Sequence, residues 1–493
     1  MIGVTILPSI IIPAISAPLA YFVSKKSGKA GCIVCLLASI VSLLLLTIGF
    51  ATNQPLYREV YKAWMPSPVG GCFEAGFFVD GVSYLMSMAT LILFALSMIY
   101  SEAYIGRSKP SYYAIMLMLL TGLLGVFLSS NLILFYIFWE FMLLPSYFII
   151  GEWGYRDPKK VAFKFFIFTH AGALVTLVGI AIAYATLLGN LDIFQMAQAA
   201  AVSEEWKNIW VLPFTLVVIG FIVKLGAFPF YTWLPDAHGE APAPMSALLS
   251  GIIIETGAYA IYRIGIQTFV VPVMGLENVP TALQWLAILG ITSAIYGGFL
   301  ALRETDIKRL VAYSSVSQAG YMIAGLGVGA AALAPYVSGQ GPLDPGGVLA
   351  LAGVLFHLVA HSWSKGLLFL VSGSVMHQTH KRDITEMGML LHKMPATGFA
   401  GFVSSFSIAG APPFPVFWGE IMMIIGAAMS NITYAKLIAG LLALATVFSA
   451  AYMLRFWLYV FWRRKPEAGS VDEVKDCLLY TSDAADELDG VDL

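Results

Sequence analysis

Residues 214–230 read FTLVVIGFIVKLGAFPF, an apolar run that contains Lys224 and is interrupted by Gly226 and Pro229. A charge at the centre of a membrane-spanning helix costs about 2.5–3.5 kcal/mol, so such residues usually face a protein interior or a water-filled path. Gly and Pro remove helical hydrogen bonds, and a break at membrane depth survives only where it lines protein or water. This stretch predicts a broken membrane helix beside an ion path.

Four further charged residues lie inside or beside apolar runs of helix length: Glu140, Glu255, Lys365 and Glu420. The composition agrees with a membrane protein, because 59% of the 493 residues are hydrophobic and only 11% are charged. A soluble domain carries about 25% charged residues. The net charge of −2 leaves no basic stripe for nucleic acid. We expect an all-α, polytopic membrane protein that moves charge.

About thirteen apolar runs are long enough to cross roughly 30 Å of hydrocarbon, and we name them helices 1 to 13. Their approximate limits are residues 2–23, 30–51, 77–100, 111–129, 131–150, 163–188, 208–238, 243–273, 282–302, 308–330, 347–375, 395–429 and 433–462. No basic residue precedes helix 1, whereas Lys25 and Lys26 follow it. Because a cleavable signal peptide carries its positive charge in front, we expect helix 1 to be retained.

The basic residues of the loops predict the orientation of the chain. Loops after odd-numbered helices hold seventeen Lys and Arg residues, whereas loops after even-numbered helices hold only Arg58, Lys62, Lys207 and Lys436. Cytoplasmic loops carry the excess of basic residues. The imbalance predicts a cell-membrane protein whose N-terminus lies outside and whose segment after helix 13 lies in the cytoplasm.

Helices 7 and 12 carry similar interruptions, GAFPF at residues 226–230 and GAPPF at residues 410–414. Each interruption is followed within four residues by a tryptophan, Trp233 or Trp418. Helix 12 is the fifth helix after helix 7, and an odd number of crossings gives the two halves opposite membrane orientations. Broken helices at matching places predict an inverted repeat with ion sites at the breaks. The alternative is a pair of ordinary proline kinks.

Four stretches resemble a known family: FYIFWEFMLLPSYFIIGEWG at 135–154, VKLGAFPFYTWLPDAHGEAPAPMSALLSG at 223–251, DIKRLVAYSSVSQAGYM at 306–322 and HLVAHSWSKGLLFLVSG at 357–373. They look like the antiporter-like, proton-pumping subunits of respiratory complex I. The same family includes subunits of multisubunit cation/proton antiporters and of membrane-bound energy-converting hydrogenases. The resemblance covers roughly residues 75–462.

The resemblance implies a division of the chain. Three peripheral helices occupy residues 1–110, a first five-helix repeat 111–273 and a second 282–462, followed by a polar tail at 463–493. Family members usually close with a fourteenth helix, which is missing here. The final stretch, LLYTSDAADELDGVDL, resembles translated read-through of non-native DNA. We therefore expect a truncated or chimeric terminus.

The family's functional residues carry over position by position. The resemblance assigns proton or ion translocation to Glu140 in helix 5, Lys224 in helix 7, His357, His361 and Lys365 in helix 11, and Glu420 in helix 12. The three helix 11 residues are spaced by four and share one helical face. Helix 8 departs from the family, which typically has Lys where this chain has Glu255. We include Glu255 with the six residues above in what we call the predicted row. Its charge is negative where the family's is positive.

The charges suggest how such a row would work. Making and breaking an ion pair between Glu140 and Lys224 would switch the proton affinity of both partners. His357 and His361 belong to the residue type that exchanges protons near neutral pH. The three acids could also ligate Na⁺, but the lysines repel a bare cation. We therefore expect protons to pass along the row, joining it near the two helix breaks.

The resemblance implies a proton-translocating membrane subunit of a complex I-type or energy-converting hydrogenase complex, with other membrane subunits and a peripheral redox module as partners. The alternative is a subunit of a stand-alone multisubunit Na⁺/H⁺ antiporter, and a weaker one is a solitary solute transporter. Cys32, Cys35, Cys72 and Cys477 are too scattered for an iron–sulfur cluster, which normally needs four cysteines. We expect no redox centre, cofactor or metal in this subunit, and packing as the role of Cys32 and Cys35.

Each site residue has a structural alternative. Glu140 and Lys224 could form a static pair, Glu255 could serve packing, and His357 and His361 could bond neighbouring backbone. Asp80, at the predicted start of helix 3, is expected to cap that helix. Asp236 and His238 could line a water path or could simply be polar residues of a loop, and the sequence favours neither alternative.

Overall fold

The computed structural model describes residues 5–53, 55–66, 72–105, 110–187, 189 and 191–464. Eleven helices in this part of the chain are long and apolar enough to cross a membrane. They are Ile6–Ser24, Gly28–Thr52, Gly81–Tyr104, Pro110–Leu128, Leu132–Trp153, Pro158–Thr186, Ala243–Val273, Val279–Arg303, Ile307–Val337, Pro345–Thr379 and Thr433–Trp462. They correspond to helices 1 to 6, 8 to 11 and 13. The chain is a predominantly helical, multi-pass membrane protein.

Helices 7 and 12 are divided where the Gly and Pro residues predicted. Helix 7 consists of Val211–Leu225 and Leu234–Glu240, and helix 12 consists of Pro395–Ile408 and Pro415–Met429. Gly226 and Gly410 follow the first halves with φ of 69° and 67°. Glycine adopts this left-handed conformation without the steric cost of a side chain. The two breaks are confirmed, whereas the inverted repeat, its boundaries and the number of crossings stay predictions.

Short elements connect the long helices. Ile193–Val202 and Glu204–Ile209 lie between helices 6 and 7, and Leu390–Lys393 precedes helix 12. An antiparallel hairpin of β1 (Leu56–Pro66) and β2 (Cys72–Asp80) lies between helices 2 and 3. The sequence analysis missed this hairpin and began helix 3 at residue 77, whereas the helix begins at Gly81.

The hairpin holds the beginning of helix 1. Glu59 of β1 accepts hydrogen bonds from the backbone N–H groups of Thr5, Ile6 and Leu7 at 2.5, 2.8 and 3.0 Å. These N–H groups have no partner within the helix, because the first turn leaves its donors free. The carboxylate therefore caps helix 1 from another element and fixes the hairpin against it.

Asp80 caps helix 3, as predicted. Its carboxylate accepts from the backbone N–H of Ser83 at 2.9 Å, and the Ser83 hydroxyl accepts from the backbone N–H of Asp80. This reciprocal arrangement is a capping box. Arg263 of helix 8 also pairs with Asp80 at 2.7 Å, so the cap ties helix 3 to helix 8.

Cys32 and Cys35 are free, buried thiols of helix 2. Their sulfur atoms lie 3.4 Å from the carbonyl oxygen of Met98 and 3.8 Å from that of Tyr113. Both cysteines therefore pack helix 2 against helices 3 and 4, which confirms the expected packing role. The predicted start of helix 1, Cys477 and the tail from residue 465 lie outside the described residues.

Helices 9 and 10 approach each other backbone to backbone. A Cβ atom on Gly320 would overlap the backbone nitrogen of Ala294, and one on Gly290 would overlap that of Ala324. Small residues at a membrane interface allow such close contact, and van der Waals packing then drives association. This contact positions helix 10, which supplies Ser314, Gln318 and Tyr321 to the interior.

We predict that Gly320→Ala destabilises the protein, because neither backbone can move away without separating helices 9 and 10. Overpacking of this kind costs about 1–3 kcal/mol. Thermal unfolding in detergent should show a lower midpoint for Gly320→Ala. Gly440→Ala is the matched control, since a Cβ at Gly440 of helix 13 meets nothing within 4 Å. Equal midpoints for the two variants would contradict this packing argument.

Candidate ion-translocation site

Helix 11 carries the central part of the predicted row. His357, His361 and Lys365 are all fully buried, and the two imidazole rings stack with centroids 5.8 Å apart. The stacking agrees with the predicted common face. The Lys365 amine donates hydrogen bonds to the carbonyl oxygen of Val311 at 3.0 Å and to the Ser314 hydroxyl. Helix 11 therefore presents its titratable groups to helix 10 and to the protein interior.

Glu255 joins this group from helix 8. Its fully buried carboxylate is hydrogen-bonded to Nδ1 of His361, and it attracts Lys365 electrostatically. Around Glu255 the helix changes from π-helical (Leu249–Ile253) to α-helical and back to π-helical (Ile261–Val270). Such π-helical segments are frequent at functional sites. The acid that replaces the family's lysine thus lies within the row, where it faces a histidine and a lysine.

Glu420 lies at the break of helix 12. Its buried carboxylate accepts hydrogen bonds from Nε2 of Gln318 at 3.0 Å and from the Thr446 hydroxyl at 3.4 Å. A Cβ atom on Gly410 would overlap this carboxylate. The glycine therefore allows the broken backbone to approach the acid closely. The predicted association of a break with an ion-binding residue agrees with this geometry.

Glu140 and Lys224 form no ion pair in the described part of the chain, and the switching pair predicted for them stays a prediction. Oε2 of Glu140 lies 2.7 Å from Nδ1 of His170 in helix 6, which is its ion-pair partner. Lys224 is buried, and its amine lies 5.6 Å from the ring centroid of Trp139. The side chains of Glu140 and His170 are 24% and 37% exposed, whereas Glu255 and His361 are fully buried. Glu140 therefore begins the row at the outer surface of the bundle.

His170 was missed in the sequence, although it carries the same signal as the predicted residues. It is a titratable side chain inside the apolar run of helix 6. A solitary histidine in a membrane helix deserves the default interpretation of a functional residue. Only its contact with Glu140, thirty positions earlier, distinguishes this assignment from simple packing.

Several polar atoms along the row have no hydrogen-bond partner among the residues that the structure describes. They are both ring nitrogens of His357, Nε2 of His361, Oε2 of Glu255 and Oε1 of Gln318. Buried polar groups in native proteins are nearly always hydrogen-bonded to protein or water. Consecutive atoms of this kind are where bridging water molecules are expected. Such atoms are candidate positions for proton exchange through water, and the proton path along the row stays a prediction.

Asp236 and His238, in the second half of helix 7, differ in surroundings. Asp236 pairs with Lys164 and Arg309, each at 2.6 Å, and these residues line a cavity of about 490 Å³. His238 is fully buried and stacks on Phe369 with ring centroids 4.4 Å apart, and neither ring nitrogen has a hydrogen-bond partner among the described residues. Asp236 is therefore part of an ion-pair network, whereas His238 is a buried histidine outside that network.

Within the described residues, no group of three or more His, Cys, Asp or Glu side chains is placed to hold a metal ion. Several polar groups of the row are hydrogen-bonded to a side chain of another helix, as Glu255 is to His361 and Glu420 is to Gln318. What this arrangement offers chemically is proton exchange between neighbouring acids, imidazoles and amines.

A family model described as "NADH:quinone oxidoreductase/Mrp antiporter, TM" matches residues 129–338 and 343–449. The chain belongs to this family. All seven predicted site residues lie within the matched segments. The resemblance stated from the four sequence stretches is thereby confirmed.

Individual relatives agree with this membership. NADH-quinone oxidoreductase subunit M of Pseudomonas aeruginosa is 35% identical over 76% of this chain and 70% of its own. F(420)H(2) dehydrogenase subunit M of Methanosarcina mazei is 30% identical over 90% of this chain and 85% of its own. A chain of respiratory complex I from Thermus thermophilus has a TM-score of 0.78 and 24% identity, covering 96% of this chain and 91% of that one. The last similarity supports the polytopic fold.

We predict that Glu255→Gln leaves the protein folded and strongly lowers ion transport, because the amide keeps the shape and loses the exchangeable charge. Glu255→Leu should additionally lower stability, since it removes the partner of His361 and leaves buried Lys365 without its counter-charge. Transport in reconstituted vesicles and thermal unfolding in detergent measure the two effects. Wild-type transport by Glu255→Leu would assign Glu255 to packing alone.

Proposed function

We propose that this chain translocates protons as an antiporter-like membrane subunit of a redox-driven complex of the complex I type. The observation that carries the proposal is a row of titratable groups that begins at the partly exposed Glu140 and the buried Lys224, continues through Glu255, His361, Lys365 and His357, and ends at Glu420. Buried charges are costly, and an extended set of them across several helices is explained by charge transport better than by stability.

The energetics favour a row over a single pair. Moving one charge across about 200 mV requires about 4.6 kcal/mol, since each 100 mV corresponds to about 2.3 kcal/mol. That energy equals a change of about 3.4 pKa units at about 1.36 kcal/mol each. One neighbouring charge typically shifts a carboxyl by about 1–3 units. Several coupled groups, such as Glu255 with His361 and Lys365, supply the remainder.

The partners follow from chemistry and from the relatives. The names of the Pseudomonas and Methanosarcina relatives are those of oxidoreductase subunits, which favours electron-transfer partners for this chain. We infer that a peripheral module carries the redox cofactors and that this subunit binds none. Glu140 and His170 are partly exposed on the side of the bundle. A neighbouring membrane subunit should cover them, because charged groups facing lipid are costly.

The orientation is inferred from the loops. The excess of basic residues after odd-numbered helices favours an outside N-terminus in the cell membrane, with the ion-pair network of Asp236, Lys164 and Arg309 on the cytoplasmic side. Protons would then reach the row from the cytoplasm past His238 and leave beyond the break of helix 12. Which end takes up protons and which end releases them is part of what we propose.

A stand-alone Na⁺/H⁺ antiporter subunit is the second candidate. The family description includes Mrp antiporters, and Glu140, Glu255 and Glu420 provide the hard oxygen atoms that Na⁺ prefers. The proton assignment is favoured because the Glu255 carboxylate already has two neighbours. It is hydrogen-bonded to His361 and attracts Lys365, so little of its negative charge is available to a metal cation.

We predict that Glu140→Gln and Lys224→Ala each lower proton transport by at least about tenfold, as loss of an essential acid–base group typically does. Assembly should be largely retained, because Glu140 is partly exposed and the alanine is accommodated in a helix. Proton uptake into inverted vesicles and subunit content measure the two properties. Wild-type pumping by an assembled Glu140→Gln or Lys224→Ala complex would support the static-pair interpretation.

We predict that transport proceeds without sodium. Inverted vesicles assayed with and without Na⁺ should build the same proton gradient, and a protonophore should abolish it. The expectation rests on the two lysines and two histidines of the row, which repel a bare cation and exchange protons. A strict Na⁺ requirement, with Na⁺ accumulation that resists the protonophore, would decide for the sodium-coupled alternative.

A further inference from the structure

The interval between His357 and Glu420 contains two hydroxyl groups that the predicted row does not use. The Tyr321 ring of helix 10 lies parallel to His357, with centroids 6.2 Å apart and an interplanar angle of 13°. It continues the stack that His361 and His357 begin. His357 and Tyr321 are both fully buried, and neither ring nitrogen of His357 has a hydrogen-bond partner in the described part of the chain.

The phenol hydroxyl leads from this stack towards Glu420. It lies 3.0 Å from the hydroxyl of Thr446 in helix 13, and the Thr446 hydroxyl lies 3.4 Å from Oε2 of Glu420. The other carboxylate oxygen, Oε1, accepts from Nε2 of Gln318 at 3.0 Å. An amide group holds the carboxylate in place without exchanging protons readily. Oε2 is therefore the oxygen that faces the exchangeable hydroxyl pair.

We propose that Tyr321 and Thr446 form a hydroxyl bridge that passes protons to and from Glu420 on the side that faces His357, with Gln318 as a positioning residue. The proposal rests on the proposed function of the row. Each hydroxyl accepts a proton on a lone pair while it releases its own proton to the next oxygen. One O–H bond forms as another breaks, so neither hydroxyl gains or loses a proton overall and no oxidant or reductant is required.

A purely structural role is the competing explanation. The Tyr321 hydroxyl also donates to the carbonyl oxygen of Leu442 at 3.2 Å, so it could serve only to tie helix 10 to helix 13. A structural tie and a proton bridge differ in what their loss changes. Loss of a tie lowers stability and assembly, whereas loss of a bridge lowers proton transport in a complex that is assembled and still transfers electrons.

The experiment compares variants in the assembled complex, reconstituted in liposomes, by the number of protons translocated per electron. Glu420→Gln sets the reference for loss of transport through this subunit. Tyr321→Phe, which keeps the ring and its stacking, should fall to the Glu420→Gln value, and Thr446→Val should do the same. Thr446→Ser restores a hydroxyl at the same position and should keep the wild-type value.

Tyr112→Phe is the matched control, because Tyr112 is also fully buried and its hydroxyl lies 2.9 Å from that of Ser101, away from the row. It should keep wild-type stoichiometry. If Glu420→Gln lowers the stoichiometry and Tyr321→Phe does not, the bridge is overturned while the proposed function stands. If Glu420→Gln changes nothing, the proposed function itself fails. Equal losses for Thr446→Ser and Thr446→Val would assign Thr446 to packing and also overturn the bridge.

Discussion

The hydrogen bond between Glu255 and His361 is the contact on which the interior of this protein depends. It joins helix 8 to helix 11, and it places a carboxylate where buried Lys365 needs a counter-charge. A buried charge without a partner is strongly destabilising. The packing around the contact, including the π-helical segments on both sides of Glu255, can therefore be understood as the framework that keeps these groups together in a low-dielectric interior.

The helix breaks serve this framework by bringing backbone close to charge. Gly410 approaches the Glu420 carboxylate so closely that no side chain fits between them, and Gly226 directly follows the half-helix that carries Lys224. Half-helix ends expose backbone groups without helical partners, and these groups can interact with an ion or a water molecule. Rigid packing of helices 9 and 10 around Gly290 and Gly320 keeps the second break in register with the polar groups of helix 10.

The features that could be predicted from the sequence depend on the chemistry of single residues or short segments. Most of those that were missed depend on contacts between residues far apart in the chain. The breaks were predictable because Gly and Pro disrupt a helix wherever they stand, and the buried acids and lysines because each is costly in an apolar run. The hairpin was missed because residues 72–80 are apolar enough to merge with helix 3. The role of His170 depends on Glu140, a contact that no local pattern encodes. Tyr321 is one of many aromatic residues in the apolar runs, and only the contact of its hydroxyl with Thr446 distinguishes it.

The acid at position 255 changes the charge balance of the row as well as its sequence. With lysine there, as the family resemblance implies, two cations would face each other across His361. With Glu255, the carboxylate and the buried Lys365 amine have opposite signs, so a proton that moved between carboxylate, imidazole and amine would create no net charge in the interior. Charge separation would then be needed only towards Lys224 and Glu420, which lie beside the two helix breaks. If the row carries protons as proposed, the reversed sign would place the electrostatic cost of transport at the two ends of the row, beside backbone dipoles that can stabilise it.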